Sequence, residues 1–226
     1  NVFADCTGLT FIDLGENVTQ LHENSFVNCT NLTKLTYSNI LNIKKNGDAE
    51  GEFTGRVKDV FKVSWLGEGG LVDVTISGNA TSQIRDKEFY GMSKLTKVSI
   101  EGNNLETIGE YAFANCGKLL RVQTYTNGEF IPNSVKYINN KAFSNCKQFG
   151  GALDLPSNLI EMGEGVFEWC TAINSVKFQS SLTEIPKDAF AGCASNLAFT
   201  CHADSAAEAY AIENAIKKCK KILLKY

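Results

Sequence analysis

Apolar positions along this chain follow one phrase, seen most cleanly as Leu105-x-x-Ile108-x-x-x-x-Phe113-x-x-Cys116-x-x-Leu119-x-x-Val122. Its aromatic residue returns at Phe3, Phe26, Trp65, Phe89, Phe113, Phe143, Phe167 and Phe190, at intervals of 23, 39, 24, 24, 30, 24 and 23 residues. Five residues before the aromatic lies Leu21, Val60, Ile84, Ile108, Ile138, Met162 or Ile185. Three further back lies Val18, Val57, Leu105, Val135, Leu159 or Leu182, with Thr81 the exception. Apolar residues also recur six, nine and eleven positions after it, as in Leu95, Val98 and Ile100. The alternation at nine and eleven predicts a short strand with one buried face. The Ala-rich stretch Glu110–Cys116 predicts a single helical or 3₁₀ turn around the aromatic.

Such a unit cannot bury its own apolar face, so neighbouring units must stack. A period of 20–29 residues with apolar positions in register predicts an α/β leucine-rich-repeat solenoid. The expected architecture has about eight coils of about 23 residues, parallel strands on one face and short turns on the other, in a single domain over 1–226. The two long intervals read as insertions. One is placed at 38–56, where Asn46-Gly47 favours a turn and a protruding hairpin or a mobile loop is expected; the other surrounds Tyr125–Pro132. Residues 202–226 read as a C-terminal cap. Ser205-Ala206-Ala207-Glu208 resembles a capping box, and Ala209, Ile212, Ile216, Cys219 and Leu223 form a helical stripe, while 221–225 could instead return as a strand. Asn1-Val2-Phe3 falls inside a repeat phrase, so the chain is expected to be a fragment of a longer protein.

Composition changes this picture little. A net charge of -3 gives no electrostatic reason to expect nucleic-acid binding. No apolar stretch approaches the ~20 residues of a membrane-spanning helix. Six of the eight cysteines, Cys6, Cys29, Cys116, Cys146, Cys170 and Cys193, lie three residues after the aromatic, a slot that holds Glu68 and Met92 in the other two units. That placement predicts a ladder of buried, unbridged thiols. A Cys201–Cys219 bond pinning the cap is the one disulfide considered. Neither His22 nor His202 has partners by spacing, no phosphate loop or Cys-x-x-Cys pair occurs, and no metal, cofactor or enzymatic activity is expected.

Chemistry is therefore sought on the strand face, where residues flanking the buried positions project outward. One column reads Phe11, Lys34, Asp73, Lys97, Arg121, Ala152, Ser175, and the next Asp13, Thr36, Thr75, Ser99, Gln123, Asp154, Lys177. Lys34, Thr36, Asp73, Thr75, Lys97, Ser99, Arg121, Gln123 and Lys177 are the candidate binding residues. Glu68 and the two insertions, which break the pattern, are further candidates.

The phrase Ala-Phe-x-x-Cys-x-x-Leu-x-x-Val resembles the BspA-like leucine-rich repeats, as do Ile131-Pro132-Asn133-Ser134-Val135 and Leu155-Pro156-Ser157-Asn158-Leu159. Gly151–Pro156 is similar to that family's longer strand variant, and Asp204–Asn214 to its C-terminal cap. The resemblance implies a secreted or cell-surface protein of oral or gut bacteria or parasitic protists. It also implies adhesion to a protein partner such as the host matrix proteins fibronectin or fibrinogen. It assigns no binding residue. The alternative is a rigid spacer presenting another domain. The sequons at Asn17, Asn28, Asn31 and Asn79 matter only in a glycosylating host.

Overall fold

Stacking is the only way a coil of this phrase can bury its apolar side, and the computed structural model is a succession of such coils held by parallel strands. It describes residues 3–38, 41–61, 70–78, 81–124, 129–179, 182–216 and 219–222. After each aromatic turn comes a longer strand. β1 (Phe11–Asp13), β3 (Lys34–Ser38), β5 (Asp73–Ser77), β7 (Lys97–Ile100) and β9 (Arg121–Thr124) pair in that order. β11 (Ala152–Asp154), β13 (Ser175–Lys177), β14 (Ala198–His202) and β15 (Cys219–Ile222) form a second such sheet. Before each turn lies a shorter strand. β2 (Gln20–His22) pairs with β4 (Asn42–Lys44), and β6 (Gln83–Ile84), β8 (Thr107–Ile108), β10 (Tyr137–Ile138) and β12 (Glu161–Met162) pair in sequence.

Leu35, Val74, Val98 and Val122 share one register row and are all buried, as the alternating pattern requires. Inside the coils the phenylalanines stack face to face. Phe3, Phe26 and Phe61 make one run, with ring centroids 5.1 Å apart. Phe89, Phe113, Phe143, Phe167 and Phe190 make another, at 5.2–5.5 Å. The ring on Phe26 is thus Phe61, not the Trp65 that marks the period in the sequence; Trp65 and Glu68 lie outside the described residues.

The turns around the aromatics are chains of three-residue-spaced backbone bonds rather than helix. Cys116 N–H donates to Phe113 C=O, and Ala114 N–H to Tyr111 C=O. Two residues after the ladder aromatic the backbone is left-handed in coil after coil, at Asp5, Asn28, Gly91, Asn115, Asn145, Trp169 and Gly192, with φ between 60 and 74°. This twist points N–H groups along the solenoid axis. Gly91, Asn115, Asn145 and Trp169 each donate to a carbonyl of the next coil at 2.7–2.9 Å. Asparagine suits the slot because it tolerates this conformation.

The insertion begins later than its sequence suggests. Residues 42–44 form β4, with Ile43 opposite Leu21, so the added residues are 45–56 between β4 and α1 (Val57–Val60). An antiparallel bridge between Ile43 and Gly55 closes the loop. Lys45–Asp48 forms a turn with Gly47 at φ 93°, a value that favours glycine. The Asp48 carboxylate accepts the Lys45 and Thr54 N–H groups and the Thr54 hydroxyl. Those bonds, Lys45's first, hold its pKa down at about 2.

The second long interval interrupts the strand face. Val122 N–H donates to Phe130 C=O, so the returning insertion lies beside β9 where β11 would otherwise pair. Phe130 packs edge-on against Phe149 at 6.3 Å. The two long-strand sheets are consequently separate rather than the continuous ladder expected.

The cap combines both sequence alternatives. α2 (Ala206–Glu213) is capped by the Ser205 hydroxyl accepting Glu208 N–H, while the Glu208 carboxylate accepts the N–H of Asp204. β15 then returns onto β14. The expected stripe is corrected, because Ala209 and Ile212 face solvent and the helix packs through Ala207, Tyr210 and Ala211. Left-handed Ala215 ends the helix, and the N–H groups of Ala215 and Ile216 close back onto Ile212 and Ala211. Cys219 therefore lies on a strand.

Candidate functional site

The strand pairing places the predicted columns side by side. Phe11, Lys34, Asp73, Lys97 and Arg121 are successive register partners, as are Asp13, Thr36, Thr75, Ser99 and Gln123. Ala152–Ser175 and Asp154–Lys177 continue both columns in the second sheet. Lys34 and Arg121 are exposed, and Thr36, Asp73, Thr75, Lys97, Gln123 and Lys177 are partly so. Ser99 is corrected. It is only 2% exposed between Thr75 and Gln123, because a short side chain on a central strand is covered by larger neighbours.

Charge is unevenly met along this face. Lys177 lies 3.6 Å from Asp154, and Asp73 accepts the Thr96 hydroxyl at 3.3 Å. Lys97 and Arg121 are cross-strand neighbours of like charge, and among the described residues neither forms an ion pair. Arg121 donates to the Gln123 amide oxygen, at 3.5 Å. Adjacent unpaired cations are destabilising within a sheet and offer a ready partner for an anionic group.

The thiols are packing elements. Cys116, Cys146 and Cys170 are buried and donate to the carbonyls of Phe89, Phe113 and Phe143 at 3.0 Å, in each case the preceding coil's ladder aromatic. Cys29 and Cys193 make the same bond, at 2.9 and 3.3 Å. Cys6 is exposed, not buried as the ladder predicts. Cys201 is buried on β14, and the considered bond to Cys219 falls on a side chain outside those described. Burial pushes the thiols of Cys116 and Cys193 up to about 12 and those of Cys146 and Cys170 well above the usual range.

The sign of the linkage follows. A folded pKa above the unfolded one contributes stability that is intact below about pH 9 and lost as pH rises toward 12. Urea denaturation is expected to show stability falling above pH 9, by about 1.4 kcal/mol per pH unit for each buried thiol. The slope should be shallower in Cys116→Ala. In native protein at pH 8, a thiol reagent should modify Cys6 rapidly and the buried thiols only on unfolding.

A polar cluster that the periodic reading missed lies in the core. Glu88, 2% exposed, takes a bidentate pair from Arg85 at 2.8 and 2.9 Å. The buried Tyr37 hydroxyl reaches Glu88 Oε1 at 3.5 Å, as does the Val57 N–H at 3.4 Å. Arg56 Nε lies 3.9 Å from the carboxylate. Burial first, then the Glu88 charge, push the Tyr37 phenol well above its ordinary pKa. The signal was present: the residue before the aromatic is Ser25, Ala112, Ala142, Val166 or Ala189 elsewhere, and glutamate here is the exception. This cluster ties α1, and so the end of the 45–56 insertion, to the next coil.

No group of three or more metal-binding side chains occurs among the described residues. His22 accepts the Asn24 N–H within its own turn, and His202 lies beside the buried Cys201 on β14. No helix among the described residues is long and apolar enough to cross a membrane.

The BspA type leucine rich repeat region model matches the sequence in six copies, over residues 1–48, 66–196 and 126–222. Among solved structures, the chain is similar to a leucine-rich repeat protein from Bacteroides ovatus, with 22% identity and a TM-score of 0.54 over 98% of this chain and 62% of that one. The pneumococcal vaccine antigen PcpA matches with 14% identity and a TM-score of 0.49, over 91% of this chain and 56% of its own. The chain thus spans less than two thirds of the length of either. No curated protein matches the sequence.

Proposed function

Because the chain belongs to the BspA-type leucine-rich repeat family, we propose that it is a protein-binding module of a secreted or surface-attached protein, acting in adhesion through its strand face. The observation that carries this reading is the Lys97–Arg121 neighbour pair, which forms no ion pair among the described residues and is flanked by the neutral Thr75 and Gln123, with Asp73 on the far side of Lys97. Such a strip suits an acidic segment of a partner protein, for which host matrix proteins such as fibronectin or fibrinogen are the candidates. Lys34 lies beyond Asp73 in the same column, and Lys177, already beside Asp154, contributes less.

The test is surface plasmon resonance on immobilised fibronectin and fibrinogen. Lys97→Glu with Arg121→Glu is expected to weaken binding about tenfold or more and to flatten its salt dependence, the pattern of charge-steered association. Unchanged affinity would remove the strand face from the reading. Binding to neither protein would favour the rigid-spacer alternative, which the two runs of stacked aromatic rings support.

A further inference from the structure

The left-handed slot two residues after each ladder aromatic holds aspartate, asparagine or glycine in every described coil but one. The exception is Trp169, at φ 60°. An aromatic side chain gains nothing from this backbone conformation and raises its cost, since only asparagine, aspartate and glycine adopt it readily. Nor is the indole there to fill the core, because the residue is 56% exposed. Its position is nonetheless defined. The following coil has glycine in the slot, and a Cβ on Gly192 would collide with Trp169 Cε3 and lie 2.7 Å from Cδ2. The indole therefore lies across the Gly192 backbone, leaving a flat aromatic surface toward solvent.

The surroundings select among ligands. The same slot one and two coils back holds Asn145 and Asn115, whose amides are linked by a 2.8 Å hydrogen bond from Asn145 Nδ2 to Asn115 Oδ1. That single bond uses one donor and one acceptor, leaving the other amide groups of both residues available at the surface. The core phenylalanine rings of these same three coils stack 5.2–5.5 Å apart, a repeat close to the rise per unit of an extended glycan chain. Lys141 and Glu168 lie beside this row at 3.8 Å from each other, which leaves little net charge. A protein hot spot would surround the indole with apolar groups that exclude water. Here the surround is amide and neutralised charge, chemistry suited to hydroxyls.

We infer that Trp169, Asn145 and Asn115 form a binding platform for a neutral pyranose glycan, with the C–H face of one sugar stacked on the indole and hydroxyls of the next units hydrogen-bonded to the two amides. The platform is on the turn side of the coils and does not depend on the strand face.

The test is native affinity electrophoresis in gels containing neutral β-glucan, mannan or xylan, followed by calorimetry with the matching hexasaccharide. Wild type is expected to be retarded by at least one of the three. Trp169→Asn installs the residue that this slot carries at Asn115 and Asn145, so it should fold with an equal or higher Tm while losing at least tenfold in affinity. Trp169→Phe should keep part of the binding, and Asn145→Ala should weaken it several-fold. The proposal is overturned by the absence of retardation in all three glycans, by glycan binding that survives Trp169→Asn, or by a lower Tm in that variant, which would make the ring a packing element. Loss of fibronectin or fibrinogen binding on Trp169→Asn without any glycan affinity would likewise overturn it, in favour of a protein contact.

Discussion

Truncating Glu88 to alanine is expected to cost about 3–5 kcal/mol in urea denaturation, the range for breaking a buried ion pair. The value should fall toward the lower end, because Arg85 keeps 27% of its side chain in water and can be partly solvated when its partner goes. What solvent cannot repair is the buried Tyr37 hydroxyl and the Val57 N–H, both of which lose their acceptor. The damage should also be local. Val57 opens α1, Lys58 N–H donates to the Glu88 carbonyl, and Arg56 holds the carbonyls of Thr54 and Gly55. Limited proteolysis is therefore expected to cut first within 45–56 in the variant. Arg85→Met combined with Glu88→Leu should cost less than either truncation alone, since no charge is then left buried. A double variant as unstable as the sum of the two singles would contradict the network described here.

Phe143→Ala is expected to be as damaging, at about 3–5 kcal/mol, because the site cannot collapse around the missing ring. Phe143 is fully buried and stacks on Phe113, Phe149 and Phe167 at 5.2, 4.6 and 5.5 Å. A solenoid is held by nearest-neighbour interfaces, so a cavity in the middle weakens the coupling of its two sides. Unfolding followed at separate probes in the two sides should lose coincidence in this variant and keep it in the wild type. Phe3 is the control. It is 37% exposed and stacks only on Phe26, so Phe3→Ala should cost well under half as much. Equal costs for the two would mean that the stack contributes little beyond surface burial.

The strand face was legible because the repeat period and the strand register are the same quantity. Counting nine residues on from each aromatic reaches Ile12, Leu35, Val74, Val98 and Val122, and those residues are register partners. Even across the 39-residue interval the count returned to register, since β3 and β5 pair directly. Outward columns were legible for the same reason. Their exposure was not, as Ser99 shows: alternation says which way a side chain points, and the size of its lateral neighbours decides whether water reaches it.

Where the period fails, the reading fails with it. Val57 and Val60 have the spacing of inward strand residues before Trp65, yet they lie on α1, and Ile43 occupies the strand position opposite Leu21. Two segments carried the required apolar spacing, and the choice between them rests on which one meets the preceding coil. Glu88 and Trp169 were visible only as wrong residues in their slots. Neither substitution says in sequence what it contacts, because the partners lie a coil or more away: Tyr37, Arg56 and Val57 for the first, Gly192 for the second.

For this protein, then, the sequence by itself determined the translation from one coil to the next: which residues line the core and which strands pair. A repeat encodes that rule locally, and each unit needs only its neighbour to satisfy it. The tertiary structure alone decided what happens where the rule is interrupted. It set Phe61 on Phe26, placed Phe130 beside β9 so that the long-strand sheet divides, buried Glu88 against Arg85, and packed the cap helix through Tyr210. Each of these depends on the meeting in space of segments that no fixed interval relates, and that meeting is governed by packing and charge rather than by period.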